Sequence, residues 1–155
     1  MTICNKRHFL PFFILLLLLC VSYQSRSQHK PNDLLTSRTW DIIGTLDFSL
    51  GAGNEVYPIF SRELRSYANH EFELKGYLIP IRAGLKQTRF LLSTLPVNQC
   101  FYCGKNGIPI MILVEMSEGV KFTYSPIRVR GKLKLKKVNI RDYPPILLSG
   151  AVQLN

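Results

Sequence analysis

Cys100-Phe101-Tyr102-Cys103-Gly104 is the sharpest local motif in the chain. Two thiols at this spacing suit three chemistries. They can shuttle between dithiol and disulfide, because the sulfurs are close and one thiol can have a lowered pKa. They can hold a soft metal such as Cu(I) or Zn²⁺. They can also close a plain structural disulfide that pins a loop. The surroundings weigh against the first two. Redox pairs of thioredoxin type open a helix in a βαβ setting, and Gly104-Lys105-Asn106-Gly107-Ile108-Pro109 is no helix start. A closed zinc site takes four ligands, whereas from residue 28 onward Cys100 and Cys103 are joined only by His29 and His70 as soft candidates. A structural clip is therefore the favoured reading, and thiol-redox or soft-metal handling is the alternative.

The second candidate is a row of cations. Arg128, Arg130, Lys132, Lys134 and Lys136 alternate with Val129, Gly131, Leu133 and Leu135. On a strand this period puts all five charges on one face. Such a face can take anions or an acidic partner. It also reads as an ordinary solvated face, or as a device against edge-to-edge pairing. Aromatics that would stack nucleic-acid bases are missing within the run, and Tyr77, Tyr124 and Tyr143 lie outside it. The chain has no phosphate loop, no paired-histidine helix and no nucleophile elbow. Glu71 and Glu73 occupy alternate positions, an ordinary solvated pattern. The expectation is a non-enzymatic protein, and no cofactor is implied.

The elements that would carry these residues are mostly strands. From His70 onward the period is two: Phe72, Leu74, Gly76 and Leu78 on one side, Glu71, Glu73, Lys75 and Tyr77 on the other. Strands are expected near 70–82, 87–93, 108–115, 127–137 and 146–154, with an extra one at 40–50. Ser117-Glu118-Gly119 reads as a turn. Phe60, Leu64 and Tyr67 fall at helical spacing, with Ser61 as a cap and Asn69 as the turn after it. Gly76 and Gly131 interrupt two strands, as happens where a small barrel bends. The expected fold is mainly β: a small five- to six-stranded OB-like barrel with one short helix.

The N-terminus supplies an address. Lys6-Arg7-His8 is basic, Phe9 to Val21 is apolar, and Ser25 and Ser27 stand at −3 and −1 of a cut before Gln28. These are the parts of a signal peptide over residues 1–27. An uncleaved anchor is the competing reading, but thirteen helical residues rise about 20 Å against a ~30 Å hydrocarbon core. A lipid on Cys20 is a third reading, weakened by Leu19, which is not small. Residues 28–38 read as a flexible arm and 39–155 as one barrel domain. The chain from residue 28 carries 17 basic and 10 acidic residues, a net of +7. Cys4 and Cys20 leave with the signal, and the destination permits a disulfide between Cys100 and Cys103.

Residues 57–154 resemble a family of small uncharacterised bacterial secreted proteins and lipoproteins with an OB-like barrel. The resemblance rests on Tyr57-Pro58-Ile59-Phe60-Ser61, Glu73-Leu74-Lys75-Gly76-Tyr77-Leu78-Ile79-Pro80, Cys100-Phe101-Tyr102-Cys103-Gly104 and Val129-Arg130-Gly131-Lys132-Leu133. It implies a periplasmic or secreted location in the bacterial envelope and a non-enzymatic role, and it transfers no catalytic residue. Relatives often carry Gly-Ala-Gly-Pro after the second cysteine, where this chain has Gly104-Lys105-Asn106-Gly107. The expected function is an envelope binding or accessory module. Its partner would be an envelope protein or an anionic envelope ligand rather than nucleic acid. Membrane association would run through an uncleaved signal segment or a lipid on Cys20.

Overall fold

Period-two alternation in the second half of the chain becomes a closed barrel. The computed structural model describes residues 34–97, 109–141 and 143–154. The segment 1–27, the arm up to residue 33, and the Cys100/Cys103 loop lie outside the described residues. Five long strands form the barrel: β3 (Glu71–Pro80), β4 (Lys86–Ser93), β5 (Met111–Lys121), β6 (Ile127–Leu135) and β7 (Ile146–Leu154). Their order around the wall is β3-β4-β5-β7-β6, closing back on β3. All neighbours are antiparallel except β5 and β7, which run parallel. That is the wiring of an OB-like barrel.

The inward positions are those the alternation marks. Phe72, Leu74 and Leu78 of β3 meet Phe90 and Leu92 of β4 in the core. Ile112, Val114 and Val120 of β5, Ile127, Val129 and Leu133 of β6, and Ile146, Leu148 and Ala151 of β7 complete it. Each large side chain so buried contributes roughly 1.5–3 kcal/mol of transfer free energy. Two glycines let the wall bend. β3 pairs with β6 up to Gly76 and with β4 from Tyr77, so the strand changes partner there. Gly131 sits where the β6–β7 register slips, opposite a bulge at Gly150, whose φ is +58°.

Two short strands and two α-helices precede the barrel. β1 (Asp47–Leu50) and β2 (Val56–Ile59) form a separate antiparallel pair. Helix α2 (Arg62–Ser66) is capped as expected: the Leu64 N–H donates to Ser61 Oγ at 3.0 Å. Asn69 then takes a left-handed turn at φ +67°.

The strand expected over 40–50 is corrected in its first half. Helix α1 (Arg38–Gly44) stands there, and only β1 is extended. The alternation of Leu46, Phe48 and Leu50 holds only for the second half, although Ile42 and Ile43, being β-branched, also favour a strand. Tertiary structure decides otherwise. Ser37 Oγ caps the helix by accepting from the Trp40 N–H at 3.2 Å. Trp40 is buried, and its indole N–H donates to the Lys75 carbonyl at 2.8 Å. The turn expected at Ser117-Glu118-Gly119 is corrected too, since β5 continues through it to Lys121 and pairs there with Lys86.

Candidate anion-binding face

The alternation in β6 turns Arg128, Arg130 and Lys132 outward, between the inward Ile127, Val129, Gly131 and Leu133. β6 is bonded on both sides, to β3 and to β7. It has no free edge, so protection against edge pairing does not account for its charges. The neighbours on the outer face follow from register. Glu71 lies opposite Lys132, Glu73 opposite Arg130 and Lys75 opposite Arg128. On the other flank Val152 lies opposite Arg130 and Leu154 opposite Arg128.

Glu73 is the hub of this face. Its Oε1 is 3.4 Å from Arg128 Nε and its Oε2 is 3.3 Å from Arg130 Nη2. One carboxylate thus holds two guanidinium groups, and the trio keeps a net positive charge. All three side chains are about half exposed, so the pairs add little stability in water. Among the described residues Lys132 makes no ion pair. With Lys75 counted against Glu71 and Glu73, the face carries four cations, Lys75, Arg128, Arg130 and Lys132, and two carboxylates.

The five expected cations divide into two groups. Arg128, Arg130 and Lys132 form a contiguous exposed patch. Lys134 and Lys136 turn to local partners. Lys134 Nζ donates to Asn69 Oδ1 at 2.7 Å, and Lys136 Nζ stands 3.9 Å from the centre of the Tyr143 ring. Arg89 Cζ lies 5.6 Å from the same ring. Of the two tyrosines that flank the run in sequence, Tyr143 therefore reaches only its far end. Tyr77 sits past the Gly76 bend, paired in register with Ser93 of β4. Tyr124 lies in the β5–β6 loop.

Sequence reasoning missed the part played by Glu73. Its signal was present: an acid on the outward face of one strand and a basic row on another, which become partners only once the barrel pairs β3 with β6. A second feature is a recess of about 250 Å³ where β5 parts from β7, lined by Met116, Ser117, Glu118, Gly119, Val120, Val152 and Gln153. No group of three or more metal-ligating side chains occurs among the described residues. No helix among them is long and apolar enough to cross a membrane.

No family model, curated protein or solved structure matches the chain.

Proposed function

We propose that this chain is a non-enzymatic binding module of the bacterial envelope, which docks an anionic partner on the outer face of β3 and β6. The observation that carries this reading is a row of cations on a strand that has no edge to protect and too few carboxylates to neutralise it. Arg128, Arg130 and Lys132 supply the contact, with Lys75 beside them. Glu73 keeps the two guanidinium groups in place without cancelling them. The exported location rests on the signal-like pattern of residues 1–27. In an envelope the anions on offer are acidic protein surfaces and lipid head groups.

Two variants with opposite expected signs test the face. Arg128→Glu with Arg130→Glu and Lys132→Glu abolishes capture of the full chain's partner from detergent-solubilised envelope membranes. Glu73→Gln strengthens that capture, because it frees both guanidinium groups, and costs less than about 1 kcal/mol of stability. Capture that survives the triple reversal would remove this face from the proposal.

A further inference from the structure

The loops at the barrel end away from α2 form a second surface. The β3–β4 connection is Ile81-Arg82-Ala83-Gly84-Leu85, and the β5–β6 connection is Phe122-Thr123-Tyr124-Ser125-Pro126. They lie together: the Phe122 N–H donates to the Leu85 carbonyl at 3.1 Å, and Lys86 is the register partner of Lys121. At their tips stand apolar side chains that the fold leaves in water. Leu85 is 87% exposed, Tyr124 69% and Ile81 44%. Cations surround them at Arg82, Lys86 and Lys121, all exposed. Neither 81–86 nor 121–126 contains an acidic residue, and the nearest acid along β5, Glu118, lines the recess.

Two details show that this arrangement is built. Lys86 and Lys121 face each other directly across the β4–β5 ladder, and like charges so placed disfavour the fold. Neither makes an ion pair among the described residues. The tip is also held in shape from beneath. Gln87 is 3% exposed, and its amide donates to the Arg82 carbonyl at 3.2 Å and the Gly84 carbonyl at 2.7 Å. Phe122 braces Tyr124 edge-on at 5.0 Å between ring centres.

We propose that the 81–86 and 121–126 loops are a membrane-docking tip, inserting Leu85, Ile81 and Tyr124 into an anionic bilayer while Arg82, Lys86 and Lys121 meet its head groups. The shape favours a bilayer over a protein. A stable protein interface takes about 800 Å² from each partner, whereas single side chains at the tips of two short loops present little continuous area. A bilayer accepts such side chains one by one: aliphatics below the head groups, tyrosine at their level and cations on the anionic surface. The tip is a different surface from the β6 row, and depends on the exported reading only for which membrane it meets.

The test places a reporter at the tip of the full chain, so that attachment through residues 9–21 is not mistaken for insertion. Tyr124→Trp adds an indole there, while the native Trp40 stays buried in the core and serves as the reference in the parent protein. The vesicles are phosphatidylcholine with roughly one phosphatidylglycerol in three and brominated acyl chains. The expected result is a blue-shifted emission from the introduced indole, quenched by the brominated lipid, with no such quenching on pure phosphatidylcholine. Adding Leu85→Asp raises the lipid concentration needed for half-quenching about tenfold or more. Replacing Arg82, Lys86 or Lys121 by Gln raises it roughly fivefold each. Leu85→Ser is the second variant should Leu85→Asp disturb the fold, as judged by near-ultraviolet circular dichroism. Arg128→Glu with Arg130→Glu and Lys132→Glu leaves the quenching in place, which separates this proposal from the β6 reading. An unquenched indole at position 124, or quenching indifferent to position 85, overturns the tip.

Discussion

At the scale of the residue, the molecule depends on small side chains where its strands come closest. Gly76 marks the place where β3 exchanges β6 for β4. A Cβ there would lie 2.6 Å from Leu92 Cγ and 3.0 Å from the Ser93 carbonyl oxygen. Leu92 is fully buried, so it has little room to withdraw. Gly76→Ala therefore destabilises the protein by about 1–3 kcal/mol, as other overpacked cores do. Gly119→Ala is the control, since its Cβ would meet neighbours only at ordinary contact distance, 3.4 Å and beyond. Urea unfolding compares the two, and equal midpoints would show that the crowding at Gly76 costs nothing. The sequence marks Gly76 as a bend, but which strand's leucine meets it becomes visible only when β4 is in place. Glu73 teaches the same lesson. Its alternation with Glu71 shows an outward carboxylate, while its two arginine partners are 55 and 57 residues away.

At the scale of the element, local signals predict structure where the chain's own propensity and its tertiary surroundings agree. β3, β6 and β7 alternate cleanly or lie between clear breakers, and their bounds match expectation closely. α2 is legible from Ser61 and the spacing of Phe60, Leu64 and Tyr67. α1 is not, because Ile42 and Ile43 argue for a strand and are outvoted by the Ser37 cap and the Trp40 anchor. β5 is legible only in part: Ser117-Glu118-Gly119 has turn composition, yet Val120 and Lys121 are held by Gln87 and Lys86. The cap on α2 has a role beyond its own helix. Ser61 Oγ also lies 2.7 Å from Thr45 Oγ1, just past the end of α1. Ser61→Ala removes both contacts and lowers stability by about 1–2 kcal/mol, at the upper part of the range for a lost N-cap. Ser61→Asp keeps an acceptor for the helix N–H and loses less. Thermal unfolding of the three proteins orders them; an alanine variant as stable as the parent would show that solvent satisfies the cap equally well.

At the scale of the whole molecule, closing the barrel gives the charge pattern its meaning. A basic row on an edge strand would guard that edge. On β6, bonded at both sides, the same residues become an open cationic face, and no reading of the strand alone distinguishes the two. The loop tip is likewise a product of the fold. Leu85 and Tyr124 are scattered apolar residues in the sequence, brought together by the bond from Phe122 to Leu85. The two surfaces differ in physical character, and salt separates them. Exposed charges act over a Debye length that shrinks from about 10 Å at 0.1 M to about 3 Å at 1 M. Capture through Arg128, Arg130 and Lys132 is almost wholly electrostatic, and falls at least about tenfold between roughly 0.05 and 0.5 M salt. Insertion of Leu85, Ile81 and Tyr124 also removes apolar surface from water, a contribution that salt does not screen. Vesicle quenching at position 124 therefore declines less steeply over the same range than partner capture does. Measured side by side on the full chain, parallel salt slopes would mean that one electrostatic surface serves both events, and the assignment of two distinct faces would fall.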